Sequence, residues 1–197
     1  MSIAYIIINI IIATLSNNNN IYLFLYSNSI KIKINKNSNV RIFGDIDGFV
    51  SENCASEPNE MYINGNNKVE FSSTYDFGEI PEFITLVWNS NNIQSTASMF
   101  VKCSAITEID FSNFDTSQVT NMALMFGGCS SLETLVFSKF VTSKVTGVND
   151  MFNSCKALSS LDLSSFDTSN VQFMNRMFTN CISLKSLNYL ILIHLKF

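Results

Sequence analysis

Cys103, Cys129, Cys155 and Cys181 stand 26 residues apart, without an insertion between them. Cysteines in such a set can hold a metal, pair as disulfides, or pack as small apolar side chains. Four ligands spread along a repeating rod cannot converge on one tetrahedral zinc ion. A disulfide requires Cα atoms within roughly 7 Å, whereas neighbouring helices need about 10 Å of lateral room. Four buried free thiols are therefore expected, since an unpaired cysteine behaves as a small hydrophobe. Cys54 falls outside this register and is left without a role.

Other reactive groups are sparse. A Ser-His-Asp or Cys-His site would depend on His194, the single histidine. None of the seven glycines forms a phosphate-cradling loop. Asp110 and Asp162 hold matching positions and could act as paired carboxylates, although solvated surface charges explain them as well. No catalytic constellation, metal site or cofactor site is expected.

The elements that carry these residues repeat. Each cysteine follows a Met-Phe pair: Met99-Phe100, Met125-Phe126, Met151-Phe152 and Met177-Phe178. Apolar residues recur three places after each cysteine (Ile106, Leu132, Leu158, Leu184) and six places after it (Ile109, Leu135, Leu161, Leu187). Phe114, Phe140 and Phe166, then Val119, Val145 and Val171, extend the register. A constant period of this length is the mark of stacked repeats, whose apolar columns are buried by the units above and below.

Within one unit the spacing changes. Val119, Met122, Phe126 and Cys129 lie three, four and three apart, one face of a short helix. Leu135 and Phe137 lie two apart, as in a strand with one buried face. "FDTSQVTNM" and "FDTSNVQFM" place Asp, Thr and Ser where they would cap the helix. The expected fold class is α/β, a leucine-rich-repeat-type solenoid of short strand–helix coils with a small β-rich N-terminal cap.

"LETLVFSKF" and "LSSLDLSSF" fit the leucine-rich frame L-x-x-L-x-L-x-x-N with Phe in place of Asn. The unit "SLDLSSFDTSNVQFMNRMFTNC" closely resembles the 26-residue repeat of BspA-like leucine-rich-repeat surface proteins. "FDTS", V-x-x-M and Met-Phe followed by Cys carry this resemblance over residues 93 to 187; Val141 and Val148 depart from it. The resemblance implies a cell-surface or secreted protein that binds macromolecules of a host or a neighbouring cell.

The organisation that follows has four parts. Residues 1–29 comprise a signal-like segment and linker, in which Ile3 to Leu15 has the length of a signal-peptide core but no Lys or Arg before it. The same stretch reads equally as a β-branched strand. Residues 30–92 form the β-rich cap with an incomplete first coil: "IKIKI" alternates as a half-buried strand, and "MYINGNNKVEF" reads as a hairpin turning at Asn-Gly. Residues 93–187 are the repeats. Residues 188–197, "NYLILIHLKF" from Asn188, are an irregular or truncated end.

Composition narrows the partners. Charged residues make up 14% of the chain and the net charge is −4, with no basic cluster to neutralise phosphates, so nucleic acid is not expected. Polarity comes instead from 25 Asn and 27 Ser. No membrane span is predicted. Alternation along each strand turns Glu108, Asp110 and Ser112, then Thr134, Val136 and Ser138, then Ser160, Asp162 and Ser164 outward. These nine residues are the expected ligand-binding face. Strands about 4.8 Å apart give a patch of only a few hundred Å², below the roughly 800 Å² per partner of a standard interface. Weak binding of a protein or glycan by each chain is therefore expected, with a passive spacer as the alternative.

Overall fold

The computed structural model describes residues 28–44, 55–65, 67–138 and 140–188. The signal-like segment, Cys54, His194 and most of the C-terminal end lie outside them.

The α/β solenoid of strand–helix coils is not what forms. Among the described residues there are ten strands and no helix, so the architecture is β-rich throughout. The strands are β1 (Ser29–Ile34), β2 (Val40–Arg41), β3 (Glu60–Ile63), β4 (Asn67–Val69), β5 (Thr74–Tyr75), β6 (Ile84–Val87), β7 (Ile106–Asn113), β8 (Thr134–Val136), β9 (Ser160–Asp162) and β10 (Ser186–Asn188). A six-stranded sheet runs β4-β3-β6-β1-β7-β8, with two separate pairs, β9-β10 and β2-β5.

The N-terminal strands form as their sequence patterns require. In β1, Ile30, Ile32 and Ile34 are buried while Lys31 and Lys33 face out. Asn64 and Gly65 both have positive φ, the left-handed backbone that Asn-Gly accepts readily, and they lie in the three-residue loop that joins β3 to β4. β1 pairs antiparallel with β7, so the N-terminal strands and the first repeat share one sheet. Trp88 meets Phe114 edge to face at 5.1 Å, extending the aromatic packing across the junction.

The expected helix fails for a backbone reason. A helix needs consecutive right-handed residues and an N–H to carbonyl bond four places back. In these segments Ser98, Leu124, Asp150 and Arg176, each 26 apart, instead have φ between 55° and 62°. The N–H of Leu124 bonds to Asn149 and that of Phe126 to Met151, both in the following coil. Between these lie tight local bonds, from the N–H of Met125 to Met122 and from that of Cys129 to Phe126. A succession of tight turns also brings residues three or four apart onto one side, which is why the apolar spacing looked helical.

Consecutive repeats are joined in register by parallel bridges, Ser95 to Asn121, Asn121 to Gly147 and Gly147 to Phe173. Phe100, Phe126, Phe152 and Phe178 stack ring on ring, with centroid spacings of 6.2, 5.3 and 5.7 Å. Phe126 and Leu161 are buried, whereas Leu135 and Phe137 are only partly so. β8, three residues long, covers its side of the core less fully than the eight-residue β7 does.

The "FDTS" segment has two jobs, neither of them capping a helix. Asp115 and Asp167 each accept the N–H two residues on, from Ser117 and Ser169, and so close a turn. Buried Thr116 and Thr142 clamp the next coil. Thr116 Oγ1 donates to the carbonyl of Val141 at 2.9 Å and accepts its N–H at 2.8 Å. Thr142 does the same to Asp167, at 3.1 and 2.7 Å.

Candidate functional site

The outward positions of β7 and β8 form columns. Glu108 lies beside Thr134 and Asp110 beside Val136. In the second pair of strands Ser160 lies beside Ser186 and Asp162 beside Asn188. Ser112 and Ser138 touch through their hydroxyls at 3.2 Å. Ser164 donates its N–H to Asp162 Oδ1 at 2.8 Å, as Ser112 does to Asp110.

Two features depart from the face read off the repeats. First, it is not one continuous sheet: β7-β8 and β9-β10 belong to different sheets. The coil bearing Val136 also stands between Asp110 and Asp162, so these carboxylates do not act as a pair. Second, β1 adds basic groups, because its register sets Lys33 beside Glu108 and Lys31 beside Asp110. Lys33 Nζ lies 2.8 Å from Glu108 Oε2, a contact that raises the lysine pKa through its hydrogen bond and the opposite charge. Lys31 reaches over the ring of Phe83 at 4.6 Å. "IKIKI" does reveal that both lysines share a face. Its antiparallel register against β7, 75 residues away for Lys33 and Glu108, has no sequence signature.

Asp162 ionises more readily than an ordinary carboxylic acid. The Ser164 hydroxyl stabilises its charged form most, followed by the Ser164 N–H. The face is therefore an array of hydroxyls, carboxylates and ammonium groups, able to hydrogen-bond a polar ligand. Val136, half-buried, is its apolar centre.

The four registered cysteines are free thiols. The helix-width argument for this does not apply, since no helices separate the coils. Cys103 Sγ donates to the Val101 carbonyl of its own coil, and the other three thiols are committed to the coil before them. Sγ of Cys129, Cys155 and Cys181 donates to the carbonyl of Phe100, Phe126 and Phe152 at 3.0, 3.2 and 3.0 Å. Burial disfavours the thiolate of Cys103 and Cys129 strongly and pushes Cys155 up to about 12. Cys181, half-buried at the last coil, is raised less completely because less of it is desolvated. In the folded chain at pH 8, a thiol-reactive probe should label Cys181 before the other three registered cysteines, with Cys103, Cys129 and Cys155 labelled only after denaturant is added. Peptide mapping that finds Cys129 labelled as fast as Cys181 would contradict this.

Among the described residues no group of three or more His, Cys, Asp or Glu side chains could hold a metal ion. No helix among them is long and apolar enough to cross a membrane. No curated protein and no solved structure matches the chain. The repeat segment, residues 94–189, matches the family described as "Mycoplasma protein of unknown function, DUF285", in agreement with a BspA-like repeat protein.

Proposed function

We propose that this protein is a non-enzymatic binding or adhesion module, displayed at the cell surface or secreted, that meets a polar macromolecule of a host or neighbouring cell. The observation that supports it most is the set of polar columns in register along β7-β8 and β9-β10. The repeat spacing holds core residues constant while these outward positions vary between serine, threonine, carboxylate and valine. A glycan or a polar protein surface suits this chemistry better than a lipid. Each chain offers a small patch, so affinity rests on many copies acting together.

A passive spacer is the second reading. Glu108 is already matched by Lys33, and Asp110 and Asp162 each take a neighbouring N–H, so the face is partly satisfied without a ligand. Multivalent display of the chain on beads, screened against glycan and protein arrays, separates the two. Asp110→Ala, Thr134→Ala and Asp162→Ala combined should abolish any binding found while leaving the fold intact. Unchanged binding by a normally folded triple variant would move the site elsewhere, and no binding on any array would leave the spacer.

A further inference from the structure

We infer that the cleft between the β3–β4 hairpin and residues 75–81 is a second binding site, for a neutral sugar residue at the end of a glycan. It shares no residue with the outer face proposed above and stands or falls without it.

The cleft holds about 390 Å³, inside the roughly 300 to 1,000 Å³ of small-ligand sites. The hairpin supplies one wall, with Ile63 and Val69 half-buried and Asn64 and Asn67 exposed. The chain from β5 onward supplies the other. Tyr75 stacks on buried Phe77 with ring centroids 4.7 Å apart, and Asp76 and Glu79 are exposed beside them. Ile80, also in the lining, is an apolar side chain that the fold leaves 53% exposed. The cleft therefore combines an apolar floor with a rim of amides and carboxylates.

Both walls are fixed by the protein's own bonds. The N–H of Asn64 donates to the Phe83 carbonyl at 3.0 Å, and the N–H of Phe83 donates to Asn64 Oδ1 at 3.2 Å. Opposite, Asn37 Nδ2 donates to the Gly78 carbonyl at 3.0 Å and the Phe77 N–H donates to the Asn37 carbonyl. Asp76 Oδ1 accepts the Asn39 N–H. Walls held in this way have little freedom left to lose when a ligand enters.

The lining selects the ligand. Its charged side chains are Asp76 and Glu79, with no Lys or Arg among the described residues that form it. An acidic sugar or a phosphate would be repelled. A cationic side chain would suit the carboxylates but not Asn64, whose Oδ1 already accepts from Phe83 and whose amide offers N–H donors. Sugar hydroxyls both donate and accept, so they satisfy carboxylates and amides together. The C–H face of the same ring packs on the apolar surface of Tyr75, Phe77 and Ile80.

The test is an NMR titration of the full chain with the methyl glycosides of glucose, galactose, mannose and N-acetylglucosamine. N-acetylneuraminic acid and N-acetyl-argininamide serve as the anionic and cationic controls. At least one neutral glycoside should shift the amides of Asn67, Phe77, Gly78 and Glu79 saturably by about 50 mM, enough to fill a site of about 1 mM affinity. Neither control should shift them. Asn67→Ala combined with Glu79→Ala, both exposed and so compatible with folding, should weaken that binding by about tenfold or more. The triple variant of the outer face should leave it unchanged. No shift of these amides by any neutral glycoside, tighter binding of the arginine probe, or unchanged binding by the folded double variant would each overturn the proposal. Shifts confined to the amides of Thr134, Ser160 and Asp162 would overturn it too, while supporting the outer face.

Discussion

Phe126→Ala is expected to lower stability by about 3 to 5 kcal/mol, the cost of losing a buried aromatic ring and leaving its cavity. The ring lies between Phe100 and Phe152 in the stack and meets Phe111 edge to face at 5.8 Å. It is fully buried and belongs to a junction with a neighbour on both sides, so two interfaces weaken at once. Phe126→Leu keeps most of the volume and should cost about 1.5 kcal/mol or less. Urea unfolding of the wild type and both variants measures the difference. A loss below about 1 kcal/mol for the alanine variant would mean that the aromatic column is not the central support of the stack.

Asn28→Leu should destabilise the junction between the N-terminal strands and the repeats. Asn28 is fully buried, and its side chain serves both sides of that junction. Nδ2 donates to the Ser90 carbonyl at 2.6 Å, and Oδ1 accepts the Asp115 N–H at 2.9 Å. Leucine has similar bulk but leaves both backbone groups without a partner. Each such loss costs about 1 to 3 kcal/mol, giving about 2 to 6 kcal/mol for the pair. Hydrogen exchange supplies a local readout: the Asp115 amide should lose protection before those of Phe126 and Cys129. Equal loss everywhere would show that Asn28 acts only on global stability.

The two largest effects expected here lie at opposite ends of what can be read from sequence. Phe126 announces itself, because Met-Phe recurs every 26 residues and an apolar column in a repeat must be buried. Asn28 does not. One asparagine among 25 carries no sign that its amide will join residues 62 and 87 positions away. The proposed binding face falls between them: the outward positions follow from strand alternation, while Lys31 and Lys33 enter it only through the pairing of β1 with β7.

The repeat period, the inward columns, the Asn-Gly hairpin and the alternation of β1 were determined by the sequence itself. They depend on residue type at short or regular spacing, and burial of apolar side chains leaves few other arrangements for them. The conformation of the Met-Phe segments was decided only by tertiary structure. Spacings of three and four are met equally by a helix and by tight turns with left-handed residues such as Leu124 and Asp150. Local propensity favours neither strongly. The balance is set by where the backbone N–H groups bond, and here alternate groups find carbonyls in the next coil rather than four residues back. The same bonds bring the thiols of Cys129, Cys155 and Cys181 onto the preceding coil's phenylalanine carbonyl, a consequence of stacking direction that no single repeat contains.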